Sequence, residues 1–60
     1  MPLVTIQMVE GRSLDQKRKM VKDVTEAIAK NIGCPADAVN IAIIEASREC
    51  FGKAGKLLCD

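Results

Sequence analysis

The sequence contains no histidine, tryptophan or tyrosine, and Phe51 is its one aromatic residue. The absence of histidine excludes Ser-His and Cys-His catalytic pairs. The remaining soft metal ligands are Cys34, Cys50 and Cys59, which lie too far apart in the chain for a zinc knuckle and are odd in number for a disulfide framework. We therefore expect no metal site and no disulfide, and we interpret the cysteines as packing residues.

A strong excess of charge of either sign is also missing. Nine Lys and Arg residues oppose eight Asp and Glu residues, which leaves a net charge of +1. The longest basic cluster, residues 17–19, falls within a helical pattern with acidic residues nearby, and such runs usually form a solvated helix face. This charge balance, together with a single aromatic residue for base stacking, predicts no nucleic-acid partner.

Long hydrophobic runs are the third absence. No apolar stretch reaches the roughly 18 residues that a membrane span requires, and residues 1–15 lack the pattern of a signal peptide. Because the cysteines are expected to be free thiols, we expect a cytoplasmic protein without a membrane partner.

Sixty residues with 48% hydrophobic side chains predict one small domain that spans residues 1–60. A chain of this length buries only about 60% of the surface that its unfolded form exposes, so it folds alone with difficulty. Since metal and disulfide crosslinks are not expected, the aliphatic surface predicts self-association of several copies.

The first half of the chain predicts a strand followed by a helix. Residues 3–8 alternate apolar and polar side chains, which is typical of a half-buried strand. Ser13 and Gln16 fit a capping box at a helix start, and Gly33 followed by Pro35 predicts its end near residue 31 or 32. The helix should be amphipathic, with a covered stripe at Lys17, Met20, Val21, Val24, Ala27, Ile28 and Ile32.

The second half predicts another strand and a small arm. Residues 39–45 are rich in β-branched side chains, and the less regular tail contains two glycines that indicate a loop and a short hairpin or arm. A strand-helix-strand crossover makes the two strands parallel. The expected fold is therefore α/β (α+β), a β-α-β subunit with parallel strands plus a short C-terminal hairpin or arm, which assembles into an oligomer by sheet extension.

Few residues are left for catalysis, and Pro2 is the most reactive candidate. Residues 52–56 resemble a phosphate-binding loop only superficially, because the preceding strand and the following Ser or Thr are missing. Removal of Met1, expected when the next residue is as small as proline, would expose Pro2 as a secondary amine. An apolar pocket disfavours the charged form of such an amine and lowers its pKa, which would make it a base at neutral pH.

Several motifs together resemble the 4-oxalocrotonate tautomerase family. The resemblance covers nearly the whole chain, and the motifs in chain order are Pro2, Glu10-Gly11-Arg12-Ser13, Gln16-Lys17, Cys34-Pro35, an Ile-rich strand that ends in Glu45, and Phe51-Gly52. The resemblance implies a β-α-β subunit that assembles as a homohexamer, a trimer of dimers. It also implies a cofactor-free isomerase that interconverts enol and keto acids, a chemistry associated with aromatic compound catabolism.

The resemblance also implies roles for individual residues. Pro2 would act as the general base and then the acid, taking the hydroxyl proton of a 2-hydroxy-2,4-dienoate and returning it to a carbon of the conjugated chain. Arg12 would bind a substrate carboxylate through its guanidinium, and Phe51 would form an apolar wall of the pocket. Family sites are shared between subunits, so Pro2 and Arg12 of one chain need not serve the same pocket.

Asn40 is a departure from the family pattern, which commonly has a second arginine at this position. Its amide donates hydrogen bonds but carries no charge, so we expect weaker stabilisation of enolate charge and a poorer fit to a dicarboxylate. Arg48 or a lysine of the tail could replace the missing charge from a neighbouring subunit.

Two alternatives remain open from the sequence. One is hydrolytic dehalogenation of a small unsaturated acid, known in the same superfamily, for which Glu49 is the nearest carboxylate to Phe51 that could activate water. The other is a non-catalytic oligomeric binding module on the same scaffold, whose signature would be retention of Met1.

Overall fold

The computed structural model describes residues 2–60, so the expected removal of Met1 concerns a residue outside the described part. Two parallel strands, one long helix and a C-terminal hairpin make up this described part. The elements are β1 (Leu3–Val9), α1 (Leu14–Ile32), β2 (Asn40–Ala46), β3 (Gly52–Lys53) and β4 (Lys56–Leu57), with 3₁₀ turns at Ala36–Ala38 and Arg48–Cys50. The predicted β-α-β subunit with a hairpin is confirmed.

Strands β1 and β2 pair in parallel over their full length, from Leu3 opposite Asn40 to Val9 opposite Ala46. Backbone hydrogen bonds extend the pairing at both ends. The Asn40 amide donates to the Pro2 carbonyl at 3.1 Å, and the Glu10 amide donates to the Ala46 carbonyl at 2.9 Å. The backbone of Pro2 is therefore fixed by the sheet even though it precedes β1.

The capping box predicted for α1 is present. The Gln16 amide donates to Ser13 Oγ at 3.1 Å, and the Ser13 amide donates to Gln16 Oε1 at 2.9 Å. At the other end Gly33 adopts the left-handed conformation with φ of 79°, and its amide donates to the Ala29 carbonyl at 3.0 Å. Both predicted ends of the helix are confirmed.

The stripe by which α1 covers the sheet differs in part from the prediction. Ala27 and Ile32 are exposed, Ile32 to 66%, whereas Thr25 and Ala29 are half-buried instead. A helix of 19 residues is about 28 Å long, whereas a strand of seven residues spans about 23 Å. Because the helix is longer than the strands, they cannot cover its whole length, and Ile32 at its end stays exposed.

The two faces of the sheet differ sharply in exposure. The face beneath α1 is half-buried and includes Val4, Ile6 and Ile43, whereas Leu3 and Ile44 on the opposite face are 76% and 51% exposed. No residue in the range 2–60 is fully buried. The single chain therefore contains a helix-covered half of a core and an uncovered sheet face that exposes Leu3 and Ile44.

The dimensions of the chain also depart from those of a self-sufficient domain. Its radius of gyration is 14.4 Å, whereas a compact domain of this length has a radius of about 10 Å. Its accessible surface is 4731 Å², against about 3,800 Å² for a folded monomer of this mass. The surplus of roughly 900 Å² is close to what one partner contributes to a standard protein interface.

A short hairpin forms the C-terminal arm of the chain. β3 and β4 pair antiparallel with Lys53 opposite Lys56, and the turn between them has positive φ at both Ala54 (54°) and Gly55 (83°). Positive φ at both central residues is the geometry of a type I′ turn. At the base of this arm Arg48 Nη2 donates to the Leu58 carbonyl at 3.2 Å.

Candidate active site

Pro2 and Asn40 lie at the amino-terminal end of the parallel sheet. Pro2 is half-buried, and its carbonyl accepts the Asn40 amide. The Asn40 side chain is exposed, and its Nδ2 donates to the Ala38 carbonyl at 3.3 Å. These two candidate residues are neighbours, and Asn40 adds a polar amide without charge beside Pro2.

Arg12 lies at the opposite end, in the connection from β1 to α1. Gly11 turns the chain there with φ of 128°, a conformation that L side chains rarely adopt. Arg12 lines a cavity of about 190 Å³ together with Met8, Gln16, Lys17 and Met20. Within residues 2–60 no acidic group pairs with it, so its guanidinium can meet a carboxylate.

A partly covered ion pair stands beside Arg12. Lys17 Nζ lies 2.7 Å from Glu45 Oε1, and the two side chains are only 23% and 29% exposed. The pair joins α1 to β2 and neutralises Lys17, which leaves Arg12 as the uncompensated charge of the cavity. The basic cluster at residues 17–19 is solvated only in part. Arg18 and Lys19 are exposed as predicted, whereas Lys17 lies on the stripe of α1 that faces the sheet.

Phe51 lies at the same end of the sheet as Arg12. It is 39% exposed and lines a second cavity, of about 220 Å³, together with Gln7, Met8 and Ile44. Met8 lines both this cavity and that of Arg12. The structure therefore places Arg12 and Phe51 around one apolar side chain.

The four predicted site residues thus form two pairs, and one chain does not bring them together. Pro2 and Asn40 lie where β1 begins, and Arg12 and Phe51 lie where it ends. Seven strand residues separate the two ends by roughly 20 Å. A pocket that used both pairs would need the amino-terminal end of one copy and the carboxyl-terminal end of another.

Sequence reasoning missed Met8 and the Lys17–Glu45 pair as parts of this end of the sheet. The alternation of side chains along the two strands places both Met8 and Glu45 on the face that α1 covers. Met8 is the last helix-facing position of β1 before the Glu-Gly-Arg-Ser turn, and Glu45 occupies a helix-facing position after Ile41 and Ile43. A carboxylate on an otherwise apolar face requires a cationic partner, and Lys17 was the basic residue in the predicted stripe.

Most of the remaining charges of α1 form ion pairs on its solvent side. Lys19 Nζ contacts Asp23 Oδ2 at 2.7 Å, and this hydrogen bond holds the pKa of the Asp23 carboxyl below its usual value. A hydrogen bond to Glu26 raises the pKa of Lys22. These groups are fully exposed and lie outside the two cavities that flank Met8.

The other candidate groups lie apart from a chemical site. Glu49 is exposed and does not line the cavity around Phe51, so the geometry of the single chain gives the dehalogenase hypothesis no support. Within residues 2–60 the cysteines form no disulfide, and Cys50 and Cys59 are exposed rather than packed. Within residues 2–60 no cluster of His, Cys, Asp and Glu could hold a metal ion, and no helix is long and apolar enough to cross a membrane.

Comparison with known proteins shows similarity along the whole chain. The family model described as "Tautomerase enzyme" matches residues 2–60. The 2-hydroxymuconate tautomerase of Bacillus subtilis is 40% identical over 60 residues, which cover 100% of this chain and 97% of that protein.

Two solved structures illustrate the similarity in fold. YwhB, a homologue of 4-oxalocrotonate tautomerase, superposes with a TM-score of 0.91 at 39% identity and covers 98% of this chain and 97% of that one. A heterohexameric 4-oxalocrotonate tautomerase from Chloroflexus aurantiacus superposes with a TM-score of 0.92 at 28% identity, with 100% and 97% of the two chains covered.

Proposed function

The chain belongs to the tautomerase family and is an isomerase, and we propose that it interconverts the enol and keto forms of a 2-hydroxy-2,4-dienoate or a related 2-oxo acid. In this proposal Pro2 moves a proton between two atoms of one substrate, without a cofactor or metal. We place it in the cytoplasm, where the three free cysteines are stable as thiols.

The observation that carries this proposal is the position of Pro2 at the start of β1. Its carbonyl is fixed by the Asn40 amide, and its ring is half-buried at the edge of the sheet. In a chain that starts at Pro2, the ring nitrogen is a secondary amine. That nitrogen takes the 2-hydroxyl proton of the enol and returns it to a carbon of the conjugated chain, so that the enol becomes the 2-oxo acid and the amine is regenerated.

Arg12 and Phe51 supply the other half of the proposed site. The guanidinium of Arg12 binds a carboxylate of the substrate in a forked geometry and draws electron density toward that end of the conjugated system. Phe51 and Met8 form an apolar wall, which keeps water from the Pro2 amine and favours its neutral, basic form.

We propose that this site is shared between copies in a homohexamer. Pro2 and Arg12 of one chain lie at opposite ends of β1, so an antiparallel neighbour would bring its Arg12 end to Pro2. Within residues 2–60 β1 pairs only with β2, which leaves its other edge free for such a neighbour. The bare sheet face and the surplus of accessible surface support further contacts between dimers.

Asn40 then provides a hydrogen bond rather than a charge in the proposed site. Its exposed amide lies beside Pro2 and donates to the Ala38 carbonyl at 3.3 Å, which leaves donor capacity for a substrate oxygen. An uncharged donor stabilises enolate charge less than an arginine does, so this end of the pocket favours a neutral group of the substrate.

Substitution of Pro2 tests the proposed function. Protein that starts at Pro2 should ketonise 2-hydroxymuconate or phenylenolpyruvate, and Pro2→Ala should lower kcat by about 100-fold, because a flexible primary amine replaces the ring amine as the base. Pro35→Ala is the matched control, since Pro35 is the other proline of the chain and lies in the turn after α1. Equal rates for Pro2→Ala and Pro35→Ala would refute the proline mechanism.

A further inference from the structure

The hairpin carries two lysines whose charges are not neutralised within residues 2–60. Lys53 and Lys56 are direct cross-strand partners, and the ion pairs of the described chain involve other residues. Like charges directly opposite one another destabilise an antiparallel pair. An anion bound between the two lysines would relieve this repulsion.

These lysines share a face of the hairpin with Phe51. Side chains alternate along a strand, so positions 51 and 53 point to one side, and their cross-strand neighbours 58 and 56 point to the same side. The Leu58 amide donates to the Phe51 carbonyl at 3.0 Å, which confirms that the pairing continues to Phe51. One face therefore presents an apolar pair, Phe51 and Leu58, followed by two cations.

The spacing along this face suits a short conjugated diacid. Phe51 and Lys53 are two strand residues apart, which is about 7 Å, and an ammonium group on a flexible stem can adjust its reach. Arg12 lies at the same end of the sheet, because Met8 lines the cavities of both Arg12 and Phe51. An acid held by Arg12 and lying against Phe51 would extend toward the lysines.

Other basic residues near the arm are already engaged. Arg48 donates to the Leu58 carbonyl, and Lys17 is paired with Glu45. At the Pro2 end of the sheet Asn40 contributes no charge. Of the cations near Phe51, Lys53 and Lys56 are thus the ones free to meet a second carboxylate.

We propose that Lys53 and Lys56 form a second carboxylate-binding contact. In a dicarboxylic enol, Arg12 binds one carboxylate and the two lysines bind the other. This inference rests on the tautomerase function proposed above and deepens it. The lysines act as binding residues, and Pro2 performs the proton transfer.

The test compares a diacid with a monoacid in the full-length oligomer that starts at Pro2. Lys53→Met/Lys56→Met keeps the apolar stems and removes both charges. It should lower kcat/KM for 2-hydroxymuconate by about tenfold, the typical effect of losing a charge-assisted hydrogen bond. The value of kcat/KM for phenylenolpyruvate should stay within about twofold of wild type. Lys53→Arg/Lys56→Arg should retain the diacid activity. Lys30→Met, at the far end of α1, is the matched control for loss of a lysine.

The outcomes separate this inference from the proposed function. If wild-type protein ketonises neither substrate, both the function and the lysine contact are wrong. The lysine contact alone is wrong if wild-type protein is active but Lys53→Met/Lys56→Met lowers kcat/KM equally for both substrates. It is also wrong if the double variant changes kcat/KM no more than Lys30→Met does. A change of oligomeric state in the double variant, measured by native mass spectrometry, would likewise assign the lysines to assembly and overturn the proposal.

Discussion

At the scale of single residues, Met8 is the side chain that links Arg12 and Phe51 at one end of the proposed site. It lines the cavity of Arg12 on one side and that of Phe51 on the other. An unbranched thioether adapts to both neighbours without a polar atom that needs a partner. In the proposed site, a substrate that reaches Arg12 across Met8 would cross an apolar surface, where the loss of water would strengthen its interaction with the guanidinium.

Phe51→Ala tests whether this apolar wall controls the base. Loss of the ring should let water reach the Pro2 amine, and better solvation of the charged form raises the pKa of that amine. Since the neutral amine is the active form in the proposed mechanism, the acidic limb of the pH dependence of kcat/KM should move to higher pH. Leu57→Ala is the control, because Leu57 lies on the opposite face of the hairpin. An unchanged acidic limb in Phe51→Ala would remove the ring from the site.

Individual site residues were predictable from the sequence only where a motif marked them. Pro2, Arg12 and Phe51 stood in recognisable motifs, and their roles remain predictions. The Lys17–Glu45 pair was not anticipated, although each residue had been placed on its element. An ion pair between a helix and a strand depends on which helix turn lies above which strand position, and one sequence does not specify that alignment.

At the scale of elements, the start of α1 depends on local hydrogen bonds that can be tested singly. Ser13→Ala removes the side chain that accepts the Gln16 amide and should lower the free energy of unfolding by about 1 kcal/mol. Ser47→Ala is a matched control, because Ser47 begins a 3₁₀ turn without a side-chain cap. Urea denaturation followed by circular dichroism, at one protein concentration, measures the free energy of unfolding of both variants. Equal losses in the two variants would contradict the capping assignment.

The elements were predicted well because their signals are local. A capping box, a terminal glycine and strand alternation each act within a few residues, and the helix ends accordingly fall where expected. The start of β2 shifts by one residue because the Val39 amide donates to Ala36 at 3.1 Å and closes a turn. The hairpin could only be outlined as a hairpin or arm, since its turn uses Ala54 in a left-handed conformation that alanine seldom adopts.

At the scale of the whole molecule, the single chain is incomplete in its packing and, in the proposed mechanism, also in its chemistry. It has no fully buried residue within the range 2–60, and the uncovered face of its sheet leaves Leu3 and Ile44 exposed. The shortage of chain that predicted self-association also explains the division of the proposed site, because one β-α-β unit is too thin to enclose Pro2. Assembly and catalysis are therefore expected to depend on the same contacts between copies.

Complementation between two defective variants tests the shared site most directly. Pro2→Ala and Arg12→Ala should each have low kcat/KM alone, and each retains the group that the other lacks. When the two are unfolded together and refolded as mixed oligomers, about a quarter of the sites should combine an intact Pro2 with an intact Arg12 from another copy. Recovery of about a quarter of wild-type ketonisation of 2-hydroxymuconate is the predicted result. Activity no higher than the average of the two separate variants would contradict a site shared between copies.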